Sequence, residues 1–234
     1  MVSGRLKEKD LYVAVERWAG RHFGCFATSV NTGTTYGRVD VVGLRQAPGD
    51  HSAETDLICI EVKRGKDPLL KAMGQAYGYS VYGNYSYLAD YRPDAPFSEV
   101  ERGLAEQLGV GLIRVRNTDT VELVSTAPRS VPVDDFKLQL ADKMGYVRCT
   151  ICATFFPRSE TNKNQFSWDL LTKDQDNVRR MKEAIVEGKG LVYWPADASA
   201  NDRTHDKRHR DGRVYNRRFA CNTCARIFMG TSAD

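Results

Sequence analysis

The chain has 234 residues, 27% of them charged and 41% hydrophobic, with a mean hydropathy of −0.48. This composition excludes a membrane bundle and a low-complexity chain, and its length suits two units with cores of their own. The formal net charge is +4, and all of it is C-terminal: residues 1–130 hold sixteen Lys and Arg against sixteen Asp and Glu, while residues 131–234 hold eighteen against fourteen.

Residues 7–18 (KEKDLYVAVERW) predict an amphipathic helix, because Leu11, Val15 and Trp18 recur at helical spacing with Tyr12 and Val13 alongside. Phe23 to Val30 predicts a first strand. Residues 31–37 (NTGTTYG) predict a polar, Gly-rich turn whose backbone amides can approach a phosphate. Two apolar runs follow, joined by a polar loop from Gln46 to Thr55. Asp40 lies on the first run, and Glu61 and Lys63 close the second after Leu57-Ile58-Cys59-Ile60. In a strand, residues two apart share a face, so Glu61 and Lys63 point one way and Val62 the other. Burying a carboxylate and an ammonium at the end of an apolar strand is costly unless something compensates them. A divalent cation and a phosphate would compensate both, while a hairpin with its charges in water is the plainer alternative.

Pro68 to Tyr82 predicts a helix. Pro68 suits the first turn, Leu69, Ala72, Met73, Ala76 and Tyr79 make the apolar stripe, and Gln75 and Tyr79 share a face. Tyr85 to Ala89 predicts a strand. Phe97 to Leu108 predicts a helix with Val100, Leu104 and Leu108 inward. Gly111 to Val115 and Val121 to Val124 predict two further strands. Alternating strands and helices point to an α/β domain.

Asp40, then Glu61-Val62-Lys63, then a helix carrying Gln75 and Tyr79, resembles the PD-(D/E)XK nuclease superfamily in its Gln-x-x-x-Tyr branch, over about the first 125 residues. The resemblance implies a restriction-endonuclease-like αβββαβ core with a mixed sheet and Mg²⁺- or Mn²⁺-dependent phosphodiester hydrolysis. By position, Asp40 and Glu61 would be metal ligands, with the Val62 carbonyl as a further donor. Lys63 would orient the attacking water and stabilise charge on the phosphate. Gln75 would support the site, and Tyr79 would pack near it or touch the nucleic-acid backbone. Val39 stands where the family name has Pro. Many members add a first-helix Glu: Glu8, three residues before Leu11, is the first choice and Glu16 the second.

Ser125 to Asp135, with two prolines, predicts a linker. The expected partition is 1–128 for the nuclease-like domain, 129–143 for the linker and 144–234 for a zinc-binding domain. Cys149-x-x-Cys152 is echoed by Cys221-x-x-Cys224, each followed by Ala and then by Phe four residues past the second Cys. Two such knuckles suit one tetrahedral Zn²⁺, resembling a zinc ribbon or treble clef, whose usual Gly after each knuckle is here Ala. The long insert between them predicts a helix from Asp174 to Glu187. Cys25 and Cys59 read as small buried hydrophobes. No signal peptide or span is evident, so the expected location is cytoplasmic and disulfides are disfavoured.

His205 and His209 have metal-ligand spacing reminiscent of HNH nucleases, though no HNH set assembles around them. Residues 203–218 carry seven Lys and Arg against two Asp. They read as a basic loop, with Arg208, Arg210, Arg213 and Arg217 gripping phosphates. The expected partner is nucleic acid, with DNA ahead of RNA, and no membrane; monomer and homodimer stay open. The functional expectation, as the resemblance implies, is a metal-dependent nuclease, with endonuclease ahead of exonuclease action and the choice between them open. Its alternatives are an inactive nucleic-acid-binding or adaptor protein on the same fold, and HNH chemistry in the Cys/His region.

Overall fold

The structure, a computed structural model, describes residues 8–34, 37–48, 54–65, 67–167, 175–194 and 218–230. The chain divides into two compact units, Met1–Leu140 and Ala141–Asp234. Among the described residues no helix is long and apolar enough to cross a membrane.

The first unit is α/β. Helix α1 (Glu8–His22) opens with Glu8 and Asp10 and closes with Arg21 and His22, which complements its dipole. It buries Leu11, Ala14, Val15 and Ala19. Strands β1 (Ala27–Thr34), β2 (Gly37–Gln46) and β3 (Thr55–Lys63) form an antiparallel meander. Helix α2 (Leu69–Gly78) then crosses to β4 (Tyr85–Tyr91), parallel to β3. Helix α3 (Glu99–Gln107) crosses to β5 (Gly111–Val115), parallel to β4, and β6 (Val121–Ser125) returns antiparallel. The result is one mixed six-stranded sheet in sequence order.

Both faces of that sheet are covered. Leu11, Val15 and Ala19 of α1 pack on Val41, Ile58, Ile60, Val62, Ala89 and Ile113. On the other face Ala72, Met73 and Ala76 of α2 and Ala105 of α3 pack on Leu88 and Leu112. Strand β3 is therefore buried from Thr55 to Val62, as an apolar run between two helical layers should be. Cys59 is fully buried and Cys25 half-buried against the α1 core, matching their reading as small hydrophobes.

Three details differ from the sequence expectation. The first strand begins later than Phe23 and continues through Thr34, because residues 27–34 pair with β2 from Ala27↔Leu44 to Thr34↔Gly37. The expected turn over 31–37 is thus mostly strand. Val100 is 81% exposed: a capping box between Ser98 and Glu101 starts α3 at Glu99, which leaves Val100 on the outer side of the first turn. Residues 125–133 are strapped to the first unit. The Ser130 N–H donates to Asn84 O at 2.8 Å, its hydroxyl to Gly83 O at 2.9 Å, and the Val133 N–H to Val81 O at 3.0 Å. Arg129 pairs with Glu54 and with fully buried Asp56.

The second unit begins in helix α4 (Asp134–Lys143), which runs across the division. Strands β7 (Tyr146–Arg148) and β8 (Phe155–Pro157) form a short hairpin. Strand β10 (Gly190–Trp194) lies between parallel β9 (Thr161–Ser167) and antiparallel β11 (Arg218–Ala220). Helix α5 (Gln175–Val186) falls where the insert helix was expected, and α6 (Asn222–Met229) closes the unit. Met181, Ile185, Leu191, Ala220 and Ala225 form its core.

Candidate functional site

Strands β2 and β3 part company at Asp40 and Glu61. Their paired register runs from Gln46↔Thr55 to Val41↔Ile60 and ends there. Beyond it β2 stays with β1 as far as Gly37, and β3 stays with β4 as far as Lys63↔Asp90. In the opening, Asp40 Oδ2 accepts the Val62 N–H at 2.8 Å, so a side chain serves a backbone donor where the ladder has stopped. Glu61, only 3% exposed, pairs with Lys63 through one oxygen and accepts the Tyr79 hydroxyl on the other. The Tyr79 oxygen also lies 2.8 Å from the Arg38 carbonyl. Tyr79 is the residue that caps α2, so the helix end is fixed to both parted strands.

From the α1 face, the Tyr12 hydroxyl donates to Glu8 Oε1 at 2.8 Å. The alternative helix carboxylate, Glu16, instead accepts from Thr28 on β1 at 3.0 Å. The structure therefore brings Glu8, Asp40, Glu61, Lys63 and Tyr79 into one electrostatic neighbourhood and leaves Glu16 out. Gln75 is exposed on α2, one turn before Tyr79.

Three carboxylates facing one ammonium leave an excess of negative charge. Burial raises the Asp40 pKa to about 6, opposed by the Val62 N–H and reinforced by Glu61. Burial works against the Lys63 ammonium, yet its bond to Glu61 and the charges of Glu61, Asp40 and Glu8 outweigh this and raise its pKa. Hard oxygen donors with surplus negative charge suit a cation such as Mg²⁺. These carboxylates do not gather to within 4.8 Å of one another, however; among the described residues only the four cysteines form so tight a group.

Sequence reasoning passed over two residues. Tyr12 had a readable cue, since it lies one helical turn from Glu8. Asp90 had none. Its Oδ1 accepts the Gly65 N–H at 2.7 Å, and its Oδ2 accepts Arg92 Nε at 2.8 Å, which fixes the chain just after Lys63. Gly65 has φ of 71°, and a Cβ there would sit 2.4 Å from the Tyr91 carbonyl oxygen. Only glycine fits that exit without strain.

The second cluster is Cys149, Cys152, Cys221 and Cys224, whose sulfurs all lie within 4.8 Å of one another, with no disulfide. Cys152 Sγ and Cys221 Sγ are 3.9 Å apart. A tetrahedron with Zn–S of 2.3 Å has edges of about 3.8 Å, so the spacing fits zinc. The first pair comes from the β7–β8 turn, where Ala153 adopts φ of 61° and its N–H returns to Cys149 O. In the second pair Cys221 caps α6 and Cys224 lies in its first turn. The echoed alanines are thus not equivalent: Ala153 occupies the left-handed position usually given to Gly, whereas Ala225 is a buried helical residue. Burial opposes ionisation of Cys152, but hydrogen bonding with Thr154 and the neighbouring thiols brings its pKa down to about 7, which favours a thiolate ligand.

His205, His209, Arg208, Arg210, Arg213 and Arg217 lie outside the described residues. Comparison with protein-family models, with curated proteins and with solved structures returned no match.

Proposed function

We propose that the chain is a metal-dependent nuclease, built on a restriction-endonuclease-like core and carrying a zinc unit of treble-clef type. The observation that carries this reading is the parting of β2 and β3 at Asp40 and Glu61, which sets Glu8, Asp40, Glu61 and Lys63 at one opening. The α-β-β-β-α-β order of the first elements supports it. Glu8, Asp40 and Glu61 would hold Mg²⁺ or Mn²⁺. A cation bound there polarises a phosphoryl group and lowers the pKa of a bound water. Lys63 places positive charge where charge develops on the phosphorus oxygens. Tyr79 orients Glu61 through its hydroxyl, a role that replaces contact with the nucleic-acid backbone.

For zinc, the Cys₄ donor set and its spacing support a structural ion. The basic segment 203–218 supplies the charge for a polyanionic partner, with DNA the first substrate to test. Under this reading Asp40→Ala and Lys63→Ala each reduce Mg²⁺- or Mn²⁺-dependent cleavage of labelled DNA by at least about 100-fold. Cleavage that survives both changes and disappears with His205→Ala would move the chemistry to the Cys/His region.

A second reading, nucleic-acid binding without cleavage, draws on the pairs that Glu61 makes: Lys63 and Tyr79 already occupy both of its oxygens. Retention of DNA binding with no cleavage of any DNA or RNA substrate in Mg²⁺ or Mn²⁺ would select it.

A further inference from the structure

We infer that Tyr12 is a positioning residue of the carboxylate site: its hydroxyl, bonded to Glu8, sets the placement in which that side chain joins Asp40 and Glu61 in receiving a divalent cation. This rests on the reading of Glu8, Asp40 and Glu61 as cation ligands.

Glu8 lies in the first turn of α1, where a long side chain has free choice of rotamer unless something holds it. Tyr12 is one turn on and faces the same way. Its ring packs against the core of Leu11, Val15 and Val41, so the hydroxyl is fixed by buried apolar surface. That hydroxyl donates to Glu8 Oε1 at 2.8 Å. The phenol proton goes to Glu8 and holds that carboxylate in one rotamer. Groups that orient ligands in this way contribute about 10- to 100-fold in metal affinity.

The test is calorimetric titration of Mn²⁺ into the zinc-loaded full chain. Tyr12→Phe is expected to weaken Mn²⁺ binding by about tenfold or more, with the far-ultraviolet circular dichroism unchanged. Glu8→Gln, which leaves the ring in place, should weaken it comparably. Adding Tyr12→Phe to Glu8→Gln should cost much less than it does alone, because the two act through one contact. If the wild type binds Mn²⁺ and Tyr12→Phe binds it equally well, Tyr12 has no positioning role and the cation site still stands. If wild type and Asp40→Asn titrate alike, the underlying cation site itself is lost.

Discussion

Glu61 sits at the end of a strand buried from Thr55 to Val62 and packed by helices on both faces. Cys152 sits in a two-stranded hairpin whose local core is Val147, Cys149, Phe156, Val192 and Phe219. In the first region the protein assembles the scaffold and each charged group already has a partner: Lys63 and Tyr79 for Glu61, the Val62 N–H for Asp40, Tyr12 for Glu8. In the second, four sulfurs crowd together; Cys149 belongs to the small core itself and the other three pack against it. A rigid sheet can hold a cluster of paired charges without outside help. A small unit with four thiols at its core is expected to depend on a bound ion.

The largest effect should therefore be chelation. Structural zinc contributes about 10 kcal/mol or more to such units. Removing it, or making Cys149→Ala, should abolish the melting transition of the second unit while that of the first persists. Calorimetry paired with zinc analysis by mass spectrometry checks this, and an unchanged pair of transitions in zinc-free protein would break the contrast.

Next comes Asp40. Its folded pKa, about 6, lies above the ordinary value of about 3.9. Between those values the unfolded chain is ionised while the folded one still holds the proton, so stability falls as pH rises through this window and stays reduced above it. Asp40→Asn should thus stabilise the cation-free protein at pH 7 by about 1–2 kcal/mol, after allowing for partial exposure, and by almost nothing near pH 4. Melting curves at the two pH values decide it.

Tyr79→Phe removes the donor to Glu61 and should cost about 1 kcal/mol in the first transition without shifting the second. Val100→Thr, on an exposed site, should move neither by more than about 0.5 kcal/mol. A larger loss in chemical denaturation would mean that Val100 is covered after all.

Periodicity made most of the first unit legible, because β3 and the stripes of α1 and α2 alternate as buried elements must. The offset of β1 was hidden, since polar Thr and Asn residues carry a turn signal that pairing with β2 overrides. Val100 was misplaced because the Ser98 cap, rather than the apolar spacing, sets the phase of α3. At the site, Asp40, Glu61, Lys63 and Tyr79 could be read from their order. Asp90 could not, since it acts through a backbone N–H after Lys63 and leaves no pattern. The cysteine echo was visible, but the turn in one half and helix in the other depend on chain geometry that both halves spell alike.

The strap through Arg129 and Ser130 bears on how the first unit could be separated from the rest. A cut after residue 128, where composition suggests a boundary, would strip Asp56 of one of its two arginines and leave the Gly83 and Asn84 carbonyls without Ser130. A fragment ending there should be excised by proteases slowly and survive poorly, whereas one that continues to Leu140 keeps every one of those bonds. The transplantable piece is longer than the first 128 residues that composition sets apart.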